Sequence, residues 1–61
     1  MLYKVSFSAR SLSSGFIPQE IVVSAESAQA ARDKVGEILS RQYRMGAWFV
    51  DWRIWSATLV A

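Results

Sequence analysis

The sequence predicts an α+β fold of order β-β-α-β, a three-stranded sheet in the order 2-1-3 with one helix packed on one face. Three observations carry this prediction. Residues 2–9 alternate apolar and polar with the period of a half-buried strand. From Ser24 the apolar spacing changes to three and four, the period of an amphipathic helix. Beyond Met45-Gly46 the chain becomes rich in aromatic and β-branched residues, which favour a pleated surface.

In the first strand, Leu2 to Ala9, the residues Tyr3, Val5, Phe7 and Ala9 share one face, while Lys4, Ser6, Ser8 and Arg10 share the other. Ser11-Leu12-Ser13-Ser14-Gly15 is a small-residue breaker. The second strand runs from Phe16 to Val23, and Pro18 near its start marks an edge position, where a missing N–H does least harm. The two strands are expected to form an antiparallel hairpin with a polar loop around Arg10 to Gly15.

In the helix, Ala28, Ala31, Val35, Ile38 and Leu39 recur on the inner face, extended by Gln42 or Tyr43, and Ser24 or Ser27 supplies the N-cap. This predicts roughly four turns. Gln29, Arg32, Asp33, Glu37 and Arg41 fall on the outer face, with Glu37 and Arg41 spaced for an i,i+4 ion pair. Gly36 weakens the middle by up to ~1 kcal/mol relative to alanine, a cost that a close helix–sheet approach would explain. Met45-Gly46 ends the helix, with Gly46 as the cap.

The last strand is expected from about Ala47 to Val60. With period two, Trp48, Val50, Trp52 and Ile54 face the core, and Phe49, Asp51, Arg53 and Trp55 face away, unless a bulge near Arg53 exchanges the faces. The crossover through the helix is expected to be right-handed, which makes the second and third strands parallel with the first between them. The helix then covers Val5, Phe7, Ile21, Val23, Trp52 and Ile54. Lys4, Ser6, Ser8, Glu20, Val22, Phe49, Arg53 and Trp55 are left on a face with no second layer.

Sixty-one residues predict a single domain, residues 1–61, whose core is marginal because a chain this short buries little more than half of its unfolded surface. There is no cysteine and no histidine to staple it, and the 52% hydrophobic composition points to apolar packing helped by self-association. A homo-oligomer is therefore expected. The N-terminus lacks the apolar run of a signal peptide, and the absence of cysteine fits a reducing compartment, so a cytoplasmic location is expected. The apolar stretch from Gly46 to Ala61 is too short to span a bilayer and is broken by Asp51 and Arg53.

Catalytic chemistry is poorly provided for. Nine serines occur without a histidine to activate one, and Lys4 and Lys34 are the only lysine amines. Asp33 and Glu37 share a helix face but do not amount to a metal site, and the three glycines are isolated and read as punctuation. No enzyme activity and no cofactor are expected.

Two binding chemistries remain. Arg41, Arg44 and Arg53, interleaved with Tyr43, Trp48 and Trp55, are the groups that would hold phosphate and stack unpaired bases, although Arg41 and Arg44 also complement the negative end of the helix dipole. With net charge +2 and a pI near 9.5, contact with phosphate is permitted but not demanded. A helical reading of Trp48, Trp52, Trp55 and Leu59 as a membrane-interface stripe is opposed by the β-formers between them.

Ile21-Val22-Val23-Ser24-Ala25-Glu26-Ser27-Ala28-Gln29-Ala30-Ala31 runs from a strand into a helix through a small-residue turn. It resembles the β-to-α junction of short phage-encoded proteins, including some anti-CRISPR inhibitors that bind host nuclease complexes. The resemblance implies a small protein-binding inhibitor and carries over no contact residue. The expected function is a non-enzymatic protein-binding module, possessing as candidate contacts Phe49, Arg53, Trp55, Lys4, Arg41 and Arg44. The alternative is a single-stranded nucleic-acid-binding protein.

Overall fold

The computed structural model describes residues 1–60. Strands β1 (Leu2–Ser11) and β2 (Gly15–Ser24) are followed by helix α1 (Ala28–Arg44) and strand β3 (Asp51–Leu59). The sheet order is β2-β1-β3, and both neighbours run antiparallel to β1, so β2 and β3 are parallel to each other across it. The α+β arrangement is the one the sequence predicts.

The β1–β2 hairpin pairs Ser11 with Gly15 and Arg10 with Phe16. Gly15 supplies the left-handed φ of +70° that closes the loop, and Ser14 N–H donates to Ser11 Oγ at 2.8 Å. Pro18 lies opposite Ser8 in β2, an edge strand as expected.

Of the two N-cap candidates it is Ser27 that caps α1, its Oγ accepting from Ala30 N–H at 3.1 Å. The other end is a Schellman turn: Ala47 N–H donates to Gln42 O and Gly46 N–H to Tyr43 O, each at 3.1 Å, with Gly46 at φ +90° just past the cap residue Met45. The expected Glu37–Arg41 ion pair does not form, since Lys4–Glu20 is the one ion pair among the described residues. Asp33 accepts instead from Gln29 Nε2 at 3.0 Å.

Tyr3, Val5, Phe7 and Ala9 of β1, Val23 of β2 and Ala31, Val35 and Leu39 of α1 build the core. Val5 and Val35 are fully buried, each worth roughly 1.5–3 kcal/mol over an exposed position. Ile21, Trp52, Ile54 and Ala57 pack around this centre, so the expected helix-facing set is the one observed.

The entry to β3 departs from expectation. The strand starts at Asp51, not near Ala47, so strand parity does not govern residues 47–50. Phe49, expected on the uncovered face, is only 3% exposed and belongs to the core, its ring edge-on to Trp52 at a centroid distance of 5.8 Å. Trp48, expected inside, is 55% exposed. The Schellman turn ends the helix over the sheet, and Phe49 is the aromatic that the returning loop lays beneath it.

A bulge then divides β3. Ser6 pairs with Ser56 but Phe7 pairs with Ile54, so Trp55 is an extra residue with no partner of its own. Before it, Trp52 and Ile54 face the helix, opposite Ala9 and Phe7; after it, Ala57 and Leu59 do so, opposite Val5 and Tyr3. Without the bulge, Ser56 and Thr58 would be turned into the core.

Candidate functional site

Directly paired residues share a face of the sheet, so the register defines the side away from α1. Down β1 it presents Lys4, Ser6, Ser8 and Arg10; β2 contributes Val22, Glu20, Pro18 and Phe16 beside them, and β3 contributes Thr58, Ser56, Arg53 and Asp51. Among the described residues no element packs on that side, because the one helix described, α1, lies on the other.

The uncovered face has two unlike halves. Near the β1–β2 loop, the Arg53 guanidinium carbon lies 4.8 Å from the centroid of the Phe16 ring and that of Arg10 lies 5.9 Å from it. Arg53 is on β3 and Phe16 on β2, so the arginine reaches across the central strand, over Ser8, which is buried although no layer covers it. Asp51 does not neutralise these cations; its carboxylate accepts from Trp52 N–H at 2.8 Å. In the other half, Trp55 lines a shallow groove with Ser6, Pro18, Glu20 and Ser56 and is 57% exposed. Lys4 Nζ lies 3.7 Å from Glu20 at its margin.

Both sheet edges are obstructed. Pro18 takes one N–H from the β2 edge. On the β3 edge the bulge interrupts the ladder, and Arg32, expected on the solvent side of the helix, is half-buried and donates from Nη2 to the Trp55 carbonyl. Lys34 likewise donates to the Ser24 carbonyl at 2.6 Å. The edges are thus poorer templates for an added strand than the face is a platform.

Of the six candidate contacts, Lys4, Arg53 and Trp55 share the uncovered face. Phe49 is withdrawn from it by burial. Arg41 and Arg44 are exposed on the last turn of α1, across the sheet, where they line a shallow groove with Glu37 and Trp52. Sequence reasoning missed Phe16 and Arg10 as a stacked pair. The signal was available: a glycine closing a short loop after Ser11 fixes the register that sets Arg10 opposite Phe16.

Among the described residues no group of three or more Asp, Glu, His or Cys side chains converges on a point that would hold a metal ion, and no helix is long and apolar enough to cross a membrane. Comparison with protein-family models, with curated proteins and with solved structures finds no match to this chain.

Proposed function

We propose that this protein is a non-enzymatic protein-binding module whose first partner is a second copy of itself, joined through the uncovered sheet faces. The observation that carries the reading is a face with no second layer, bearing Trp55 in the open among small and polar neighbours. Strands of ten, ten and nine residues make that face about 33 Å long and about 14 Å wide. Its projection is roughly 470 Å², set against the ~800 Å² of accessible surface per partner of an ordinary stable interface. A stable dimer would therefore have to use the whole face.

Two such faces stacked would give a sandwich about 10 Å between sheets, a common solution for a sheet with one open side. The obstructed edges favour this over edge-to-edge pairing. Capture of a host complex, the role implied by the resemblance at Ile21–Ala31, would use the same face and remains a further proposal. Sedimentation equilibrium tests the dimer: the native chain is expected to dimerise at micromolar concentration, and Trp55→Ala to weaken the dimer by about 2 kcal/mol or more, some 30-fold. A strictly monomeric native chain at high micromolar concentration would refute the self-association reading.

A further inference from the structure

The charges are distributed unequally along the molecule. Helix α1 starts beside the paired ends Leu2 and Ser24 and finishes where β3 begins at Asp51, opposite Arg10. Its last turn, with Arg41 and Arg44, therefore lies at the same end as Arg10 and the Phe16-stacked Arg53. Four arginines against Asp51 and Glu37, the latter in the groove with Arg41 and Arg44, leave +2 at this end; Lys4, Arg32 and Lys34 against Glu20, Glu26 and Asp33 leave zero over the remainder.

Completion of the helix dipole accounts for Arg41 and Arg44. It does not account for Arg10 and Arg53, which are on strands. None of the four forms an ion pair among the described residues, and stacking on Phe16 orients a guanidinium without neutralising it. The same end holds three exposed aromatics, Phe16 under the two guanidiniums, Tyr43 and Trp48. Trp48 stands edge-on to the buried Phe49 at a centroid distance of 5.4 Å and at 85°, so the core fixes the indole while more than half of it stays open.

We propose that this end of the molecule binds single-stranded nucleic acid, with Arg41 and Arg44 on phosphates, Trp48 stacking one unpaired base, and Arg10 and Arg53 extending the positive field. The arginines fit any polyanion. The anchored indole at the same end, on the β2 flank of the helix where Arg41 and Arg44 take the β3 flank, selects for one that carries flat, unpaired bases and wraps the helix end. Arg41, Arg44 and Trp48 are not on the face assigned to self-association, whereas Arg10 and Arg53 are, so the direct contacts of this inference are limited to the first three and do not depend on the dimer.

The test is fluorescence anisotropy of a labelled short oligothymidylate with the full chain over a range of salt concentration, with the matching duplex and inorganic polyphosphate as competitors. Two phosphate contacts predict a log–log salt slope of about −1.4, falling towards zero in an Arg41→Ala, Arg44→Ala double variant. Trp48→Ala should weaken binding roughly 5- to 150-fold. Trp55→Ala should leave affinity within about twofold while disrupting the dimer, which separates failure of this inference from failure of the proposed function. Circular dichroism confirms that each variant is folded. No binding at low salt, a slope near zero for the native chain, unchanged binding by the double variant, or competition by polyphosphate or duplex equal to that of the single strand would each overturn it.

Discussion

Two glycine-to-alanine substitutions ten residues apart should change stability in opposite directions. Gly36 lies inside α1 with its position turned toward β3, and a Cβ built there meets Ile54 Cδ1 at 3.8 Å, an ordinary van der Waals distance. The helix approaches the sheet here, but not so closely that only glycine fits. Gly36→Ala should recover the helix-propensity difference of about 0.8–1 kcal/mol. The added contact contributes a few tenths of a kcal/mol more at most. For a domain of this size 1 kcal/mol corresponds to roughly 4–8 °C in Tm. Gly46 has open space around its Cβ position but sits at φ +90°, where an L side chain is strained, so Gly46→Ala should cost about 1–2 kcal/mol. Thermal melts by far-UV circular dichroism, at one fixed protein concentration because dimerisation makes Tm concentration-dependent, provide the assay. A lower melting temperature for Gly36→Ala would refute the reasoning: it would mean that α1 and Ile54 lie closer than described and that the glycine is required for packing.

Phe49→Ala should cost about 3–5 kcal/mol and leave little folded protein, whereas Trp48→Ala, one residue earlier, should melt close to the native chain; equal melts would refute the burial pattern of the loop. Trp55→Ala should keep its fold and lose the dimer, as judged by sedimentation equilibrium. The Arg41→Ala, Arg44→Ala double variant should keep the dimer and lose most of the salt slope for oligonucleotide binding, as judged by anisotropy. Arg32→Ala removes the donor that occupies the Trp55 carbonyl on the β3 edge and should increase concentration-dependent scattering at low denaturant, whereas Gln29→Ala, also on α1, should not.

The first two strands and the helix were legible because each has a single competing pattern. Tyr3, Val5, Phe7 and Ala9 are separated by polar residues, so only one parity buries them, and the apolar positions of α1 fit one helical face. The helix-facing set of the sheet, including Trp52 and Ile54, followed from those assignments. What failed is local: between Gly46 and Asp51 the chain is Ala-Trp-Phe-Val, apolar at every position, and hydrophobicity cannot choose between Trp48 and Phe49 when both are large aromatics. The choice is made by geometry, through a helix end set by the Schellman turn and a Val50 N–H that donates to Arg10 O at 2.8 Å. Those two anchors leave one side chain pointing beneath the helix, and it is Phe49.

The bulge at Trp55 decides which residues of the second half of β3 face the helix, whereas Trp55 itself lies on the uncovered side with or without it. A regular β3 from Trp52 onward would alternate Trp52, Ile54, Ser56 and Thr58 toward the helix, replacing apolar packing with two hydroxyls in the second half of the strand. One unpaired residue restores Ala57 and Leu59 to the helix side, and the residue inserted is the one whose side chain lines the groove with Ser6 and Pro18. The irregularity also places the Trp55 carbonyl where Arg32 occupies it from the helix. A single extra residue thus returns Ala57 to the core side and interrupts the ladder on an edge open to added strands, while the indole stays on the uncovered face. The first two consequences serve folding and solubility, and a smaller residue at the bulge would serve them equally well. The Trp55 indole, 57% exposed beside Ser6 and Pro18, is the feature on which the proposed self-association rests.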